Sequence, residues 1–159
     1  MSARLYRFRS EEDLSTPPDP AGCAAAPFDP NVRLGATLWA DGGGPECEPD
    51  DAMEEGEETW FGTATACTRV TDPAFTPGTR LPFYAVFDLP EGRVTANGEA
   101  TVVSNDVPVA GLVLAACHLR VIQAPPGFTG GAATSLSVFN PAGLTGFNTG
   151  SFWTILLFD

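Results

Sequence analysis

The chain contains no lysine: all eight of its positive charges are arginine, set against 20 acidic residues, for a formal net charge of −12. A field of that sign repels polyanions, which disfavours nucleic acid and an anionic membrane surface as partners. Lysine absent beside abundant Ala, Gly, Pro and Arg is the composition expected of a GC-rich bacterial genome. No apolar stretch reaches the roughly 18 residues that a membrane span needs, and the stretch Met1 to Arg9 has no apolar signal core, so the expected location is cytoplasmic. The four cysteines, Cys23, Cys47, Cys67 and Cys117, show neither CxxC nor Cys/His metal spacing. In a reducing compartment they are expected as free, mostly buried thiols, and no metal or cofactor is called for.

The motifs of common chemistries are also missing. There is no Gly-x-Ser-x-Gly elbow, no P-loop and no Gly-x-Gly-x-x-Gly opening a helix, which removes support for standard hydrolase and nucleotide chemistry. His118 is the sole histidine and follows Cys117; adjacent residues of a strand face opposite sides, so the two do not make a nucleophile–base pair. Glu46 to Glu58 holds eight acidic residues in thirteen but lacks the glycine-anchored alternation of a calcium loop, and reads as a solvated run.

What remains is apolar, aromatic and heavily punctuated. Hydrophobic residues make up 43% of the 159, with 11 Phe and 3 Trp, enough for a packed core. The 17 Gly and 15 Pro interrupt every window in which an amphipathic helix would form. Residues 1–32, with their basic start and Pro-rich Thr16-Pro-Pro-Asp-Pro, read as an irregular N-terminal arm. From Arg33 onward period-2 runs recur: 33–40, 58–71, 81–89, 93–103, 107–116, a continuation or separate strand over 117–124, then 133–139 and 151–158. About eight strands with turn signals between them predict an all-β fold, a single small antiparallel barrel over residues 33–159. A barrel of that size is filled by side chains or holds one small ligand.

The clearest run sets Arg93, Thr95, Asn97, Glu99 and Thr101 against Val94, Ala96, Gly98, Ala100 and Val102. If the small face points inward it leaves room, and aromatics on other walls would line the space: Trp39, Trp60, Phe83 or Tyr84, Phe87 and Trp153 are the candidates.

Phe61-Gly-Thr-Ala-Thr-Ala-Cys-Thr-Arg-Val, followed by Leu81-Pro-Phe-Tyr-Ala-Val-Phe-Asp-Leu-Pro-Glu-Gly-Arg-Val-Thr-Ala-Asn-Gly-Glu-Ala, resembles the allene oxide cyclase and dirigent β-barrel superfamily. A Gly-Gly-Thr-Gly-type segment that the family carries soon after this region has its only counterpart here at Gly143-Leu-Thr-Gly-Phe147. The resemblance implies a barrel that holds a reactive, mostly apolar small molecule and guides its cyclisation, as allene oxide cyclases, dirigent proteins and bacterial spirotetronate-forming [4+2] cyclases do. Catalysis of that kind works by holding a flexible polyene in a near-attack shape, without nucleophile or cofactor. It implies Trp60, Tyr84 and Trp153 as pocket-shaping residues and Tyr84 or Glu99 as the group that polarises a carbonyl, and by analogy a homo-oligomer. The competing expectation is a non-catalytic barrel: a binding module, or a structural protein such as a bacteriophage surface or tail component. The apolar C-terminal run Phe152 to Phe158 would suit an assembly interface equally well.

Overall fold

In the computed structural model, which describes residues 1–40 and 59–159, eight antiparallel strands close into a barrel in sequence order, the last pairing with the first. They are β1 (Ala3–Glu12), β2 (Val32–Ala40), β3 (Thr59–Thr68), β4 (Arg80–Leu89), β5 (Gly92–Ser104), β6 (Val113–Gln123), β7 (Gly130–Phe139) and β8 (Gly150–Phe158). The acidic run Glu46 to Glu58 and Cys47 lie outside the described residues. Among the described residues no helix is long and apolar enough to cross a membrane.

Two expectations about the chain's first 32 residues change. Ala3–Glu12 is no irregular arm but a full barrel strand: it pairs with β8 from Ala3↔Phe158 to Glu11↔Gly150, and with β2 from Phe8↔Ala40 to Glu12↔Ala36. Its pattern is period 2, with Tyr6, Phe8 and Ser10 buried and Leu5 and Arg7 exposed, so Arg7 and Arg9 ride on the outer wall. The cysteines change too. Cys23 and Cys67 are joined in a disulfide, their Cα atoms 5.7 Å apart, instead of standing as free thiols. Such bonds persist in oxidising compartments and are kept reduced in the cytosol, so this one weighs against the cytoplasmic expectation.

The disulfide fixes a short helix, α1 (Pro20–Ala24), to the outside of β3. Asp19 caps it by accepting from the Ala21 amide at 3.0 Å, with Pro20 at the first helical position where its missing N–H is no loss. The Asp19 amide donates to Thr65 Oγ1 at 2.9 Å, and Arg93 ties Asp88 (2.7 Å) and Asp19 (3.5 Å) together beside it. Beneath this cover Cys67, Tyr84 and Val86 are buried, with Ala26 and Phe28 packed on them. The walls of β3 and β4 are therefore buried on both faces, which explains why β4 reads as a nearly continuous apolar run.

The interior divides in two along the barrel axis. At the end where β4 turns into β5 through Pro90-Glu91, the side chains of Phe8, Leu38, Phe87, Val94, Ala96, Leu119, Ile155 and Leu157 are each 3% exposed or less and fill the space. Gly98 on β5 belongs to this close packing, because a Cβ there would strike the backbone carbonyl of His118 on β6. Tyr6 seals the end: its hydroxyl donates to Glu91, whose other oxygen takes Arg4 Nη1 at 2.6 Å. The opposite end is not filled.

Candidate functional site

At that opposite end the strands contribute small side chains where a filled barrel would need large ones. Ala36 on β2, Ala64 and Ala66 on β3, Ala85 on β4, Ala100 on β5 and Ala115 on β6 face inward around a cavity of about 100 Å³. Interiors are packed to crystal-like density, so a void of this size in a small domain is a feature to be explained. Its floor is aromatic. Trp153 meets Phe87 edge-on with ring centroids 4.9 Å apart and tilts against Phe83 at 6.2 Å, and Phe87 continues to Phe8 at 5.7 Å. These geometries are the ones that aromatic quadrupoles favour.

Next to the cavity lies a wider mouth of about 700 Å³ between the β3–β4, β5–β6 and β7–β8 loops; Val32, Val70, Phe75, Val113 and Phe139 line both volumes. Phe75 and Phe139 meet edge-on across the neck at 5.6 Å. Phe75 is held there by its own loop in a left-handed conformation, φ 48°, unusual for a bulky residue. The carboxylate of Asp72 accepts from the Ala74 and Thr76 amides, both at 3.0 Å, while its backbone oxygen accepts from the Phe75 amide at 3.1 Å. Donation from Thr76 foremost, then Ala74, holds the Asp72 carboxyl below its ordinary range. Asn105 clamps the loop from the other side by donating to the Ala74 carbonyl at 3.1 Å.

Of the residues singled out in the sequence, Phe83, Phe87 and Trp153 line the cavity and the other four do not. With Phe83 and Ala85 facing in, alternation turns Tyr84 outward, where it is buried under α1, away from the interior. Glu99 lies on the outer wall next to inward Ala100, half exposed and 3.9 Å from His118 Nε2 on the neighbouring strand. Neither can polarise a group bound inside the barrel. Trp39 and Trp60 pair across β2 and β3 at a register shift between Leu38 and Trp39; Leu38 takes the inward position, and Trp60 is 64% exposed.

The structure adds residues that the strand patterns did not single out. Ser10, Cys117, Ser137 and Ser151 face the cavity from four adjacent strands, β1, β6, β7 and β8. Trp153 Nε1 donates to Ser10 Oγ at 3.2 Å, and Ser137 Oγ lies 2.7 Å from Ser151 Oγ and 3.0 Å from Ser135 Oγ. Burial pushes the Cys117 thiol up from its ordinary pKa, against a smaller opposing pull from Ser135 and Ser137, so it is a neutral thiol and a poor nucleophile. Among the described residues no three His, Cys, Asp or Glu side chains gather closely enough to hold a metal ion.

Protein-family models, curated proteins and solved structures give no match to this chain. Any reading of its chemistry rests on the cavity itself. Among the described residues the cavity has an aromatic floor, one largely apolar wall and one hydroxyl-bearing wall, an arrangement that can seat one small molecule.

Proposed function

We propose that the barrel is a cofactor-independent cyclase or isomerase that takes an apolar polyene or polyketide-like molecule, one end in the cavity and the rest in the mouth. The observation that supports this reading is the apolar void above Phe87 and Trp153, which shares Phe75 and Phe139 with a wider opening. Ligand sites run to about 300–1,000 Å³. The inner 100 Å³ therefore takes a ring or a short chain end, and the mouth of about 700 Å³ takes the remainder. Bending a chain across the neck would bring distant carbons together, and pre-paid orientational entropy of that kind lowers a cyclisation barrier by up to about 7–11 kcal/mol in well-aligned cases. [4+2] closure needs nothing more from the protein.

The test is native mass spectrometry of the purified protein for a retained small molecule, followed by incubation with conjugated polyenes and product analysis. Trp153→Ala, in the cavity floor, is expected to change turnover or occupancy, whereas Trp60→Ala, on the outside, leaves both unchanged. Equal behaviour of the two variants would sink the assignment of the site.

A second reading, a non-catalytic barrel that binds or assembles, draws on the outer wall of β6 to β1. Leu136 and Phe152, each 68% exposed, are paired across β7 and β8, with Ile122 and Leu5 on the same wall. A stable oligomer buried through Leu136 and Phe152, with no ligand taken up, would favour it.

A further inference from the structure

The hydroxyl wall of the cavity holds more donor hydrogens than the described residues accept. Ser135, Ser137 and Ser151 bring three hydroxyl hydrogens, and the two bonds between them consume two. Among the described residues the one further acceptor bonded to the row is Cys117 Sγ, 4.0 Å from Ser137 Oγ and weak, so whichever serine keeps the third hydrogen has no strong acceptor for it. Ser10 receives the Trp153 indole N–H on its oxygen, and among the described residues its own hydrogen has no acceptor within hydrogen-bond distance. Ser10 is 7% exposed and lines the cavity. A buried hydroxyl without an acceptor is destabilising, and a guest oxygen relieves that penalty. The opposite wall, from Leu34 to Val102, is hydrocarbon apart from Thr65 and Thr68, whose hydroxyls bond the Asp19 amide and the Pro82 carbonyl; among the described residues the lining contains no arginine and one carboxyl, Glu12.

We propose that this serine row selects the guest's chemistry: a neutral molecule whose buried end carries a carbonyl or similar acceptor oxygen, preferred over a hydrocarbon of the same shape and over a carboxylate. The inference rests on the reading of the cavity as a ligand site and names the class of ligand. A ketone oxygen accepts from the spare hydroxyls while its ring or chain meets the alanine wall. A carboxylate would lose its hydration without meeting a cation, in a chain whose net charge is already −12.

Three six-ring probes of matched shape separate the possibilities: cyclohexanone, cyclohexane and cyclohexanecarboxylate, titrated into the full chain. The indole N–H cross-peak of Trp153, assigned by its loss in Trp153→Phe, reads occupancy, since that N–H bonds to Ser10 at the cavity wall. Cyclohexanone is expected to bind about three- to tenfold more tightly than cyclohexane, the range of one net hydrogen bond, and the carboxylate to leave the peak unmoved. In Ser137→Ala/Ser151→Ala, and separately in Ser10→Ala, the preference shrinks while cyclohexane binds at least as well as before. Equal affinity of ketone and hydrocarbon in the unaltered protein overturns the selection, as does a preference that survives both variants or a carboxylate that binds best. If cyclohexane binds and cyclohexanone does not, the cavity reading stands and the selection falls. If none of the three binds, the cavity reading falls and takes the selection with it.

Discussion

Filling the cavity should make the protein more stable and less able to bind. Ala66 on β3 faces the cavity between Leu34 on β2 and Ala85 on β4, so a leucine there projects into the void and not into a packed neighbour. Ala66→Leu adds three carbons, worth about 2.4 kcal/mol at ~0.8 kcal/mol per buried CH₂, and immobilising the longer side chain takes back about 0.5–1 kcal/mol. A second estimate comes from the void itself: about 100 Å³ at ~24 cal/mol per Å³ is about 2.4 kcal/mol of stability forgone by leaving it empty. The two routes agree on a net gain of about 1.5–2 kcal/mol, which for a domain of this length raises Tm by about 3–8 °C. Thermal and urea melts of the variant beside the parent measure the gain, and titration with cyclohexanone measures the accompanying loss of binding. Destabilisation by about 1–3 kcal/mol, the usual penalty for overpacking, would refute the reasoning: the interior would then be filled and the site would not exist.

Two further outcomes follow from the frame around the cavity. Replacing both Cys23 and Cys67 by Ala opens a loop of sequence separation 44, and chain entropy alone predicts a loss of about 4 kcal/mol; urea midpoints of parent and variant should converge in dithiothreitol, and a parent midpoint that the reductant does not move would contradict the bond. At the sealed end, burial foremost, then the bond to Glu91 and its charge, push the Tyr6 hydroxyl up from 10.0 to about 12. The folded state thus holds the proton more tightly than the unfolded chain does, so the associated stability is complete below pH 10 and drains away as pH rises through about 12. Tyr6→Phe removes that alkaline loss, which melts between pH 9 and 12 detect alongside a tyrosine absorbance titration.

Much of the barrel is legible in residue order, and the failures are physically specific. On β5 the alternation of Val94, Ala96, Ala100 and Val102 against Arg93, Asn97, Glu99 and Thr101 gives both the strand and its inward face, because one face is small and apolar and the other polar. On β4 the same logic has nothing to work on. Phe83, Tyr84, Ala85, Val86 and Phe87 are all apolar, since α1 and the disulfide bury the outer wall as the barrel buries the inner one, and the parity that excludes Tyr84 from the site appears only with the register. The expected number of strands is met by two compensating differences. β1 hides behind Arg7 and Arg9, which point outward, and the stretch over 107–124, left open as one strand or two, is one, because Pro108 has no amide hydrogen to give a ladder and Gly111 turns the chain at φ 95° before β6 begins at Val113.

The hydroxyl row was hidden for a different reason, and that reason bears on function. Its members are spread from residue 10 to residue 151, and on β7 and β8 they invert the usual pattern: Ser135, Ser137 and Ser151 face the interior while Leu136 and Phe152 face out. Binary patterning assigns the leucine and phenylalanine to the core and the serines to water. The closed register forbids this, because a one-residue slip of β8 would also turn Trp153, Ile155 and Leu157 out of the core. Those three buried side chains hold the strand in a phase that its first residues oppose. Local pattern and global fold conflict at the cavity wall and the outer face behind it, where a natural sequence is expected to depart from consistency for the sake of what it binds. On the proposed reading the inward serines would serve a guest in the barrel, and on the rival one the outward Leu136 and Phe152 would meet a neighbour outside it, so occupancy and assembly can be tested separately on the same two strands.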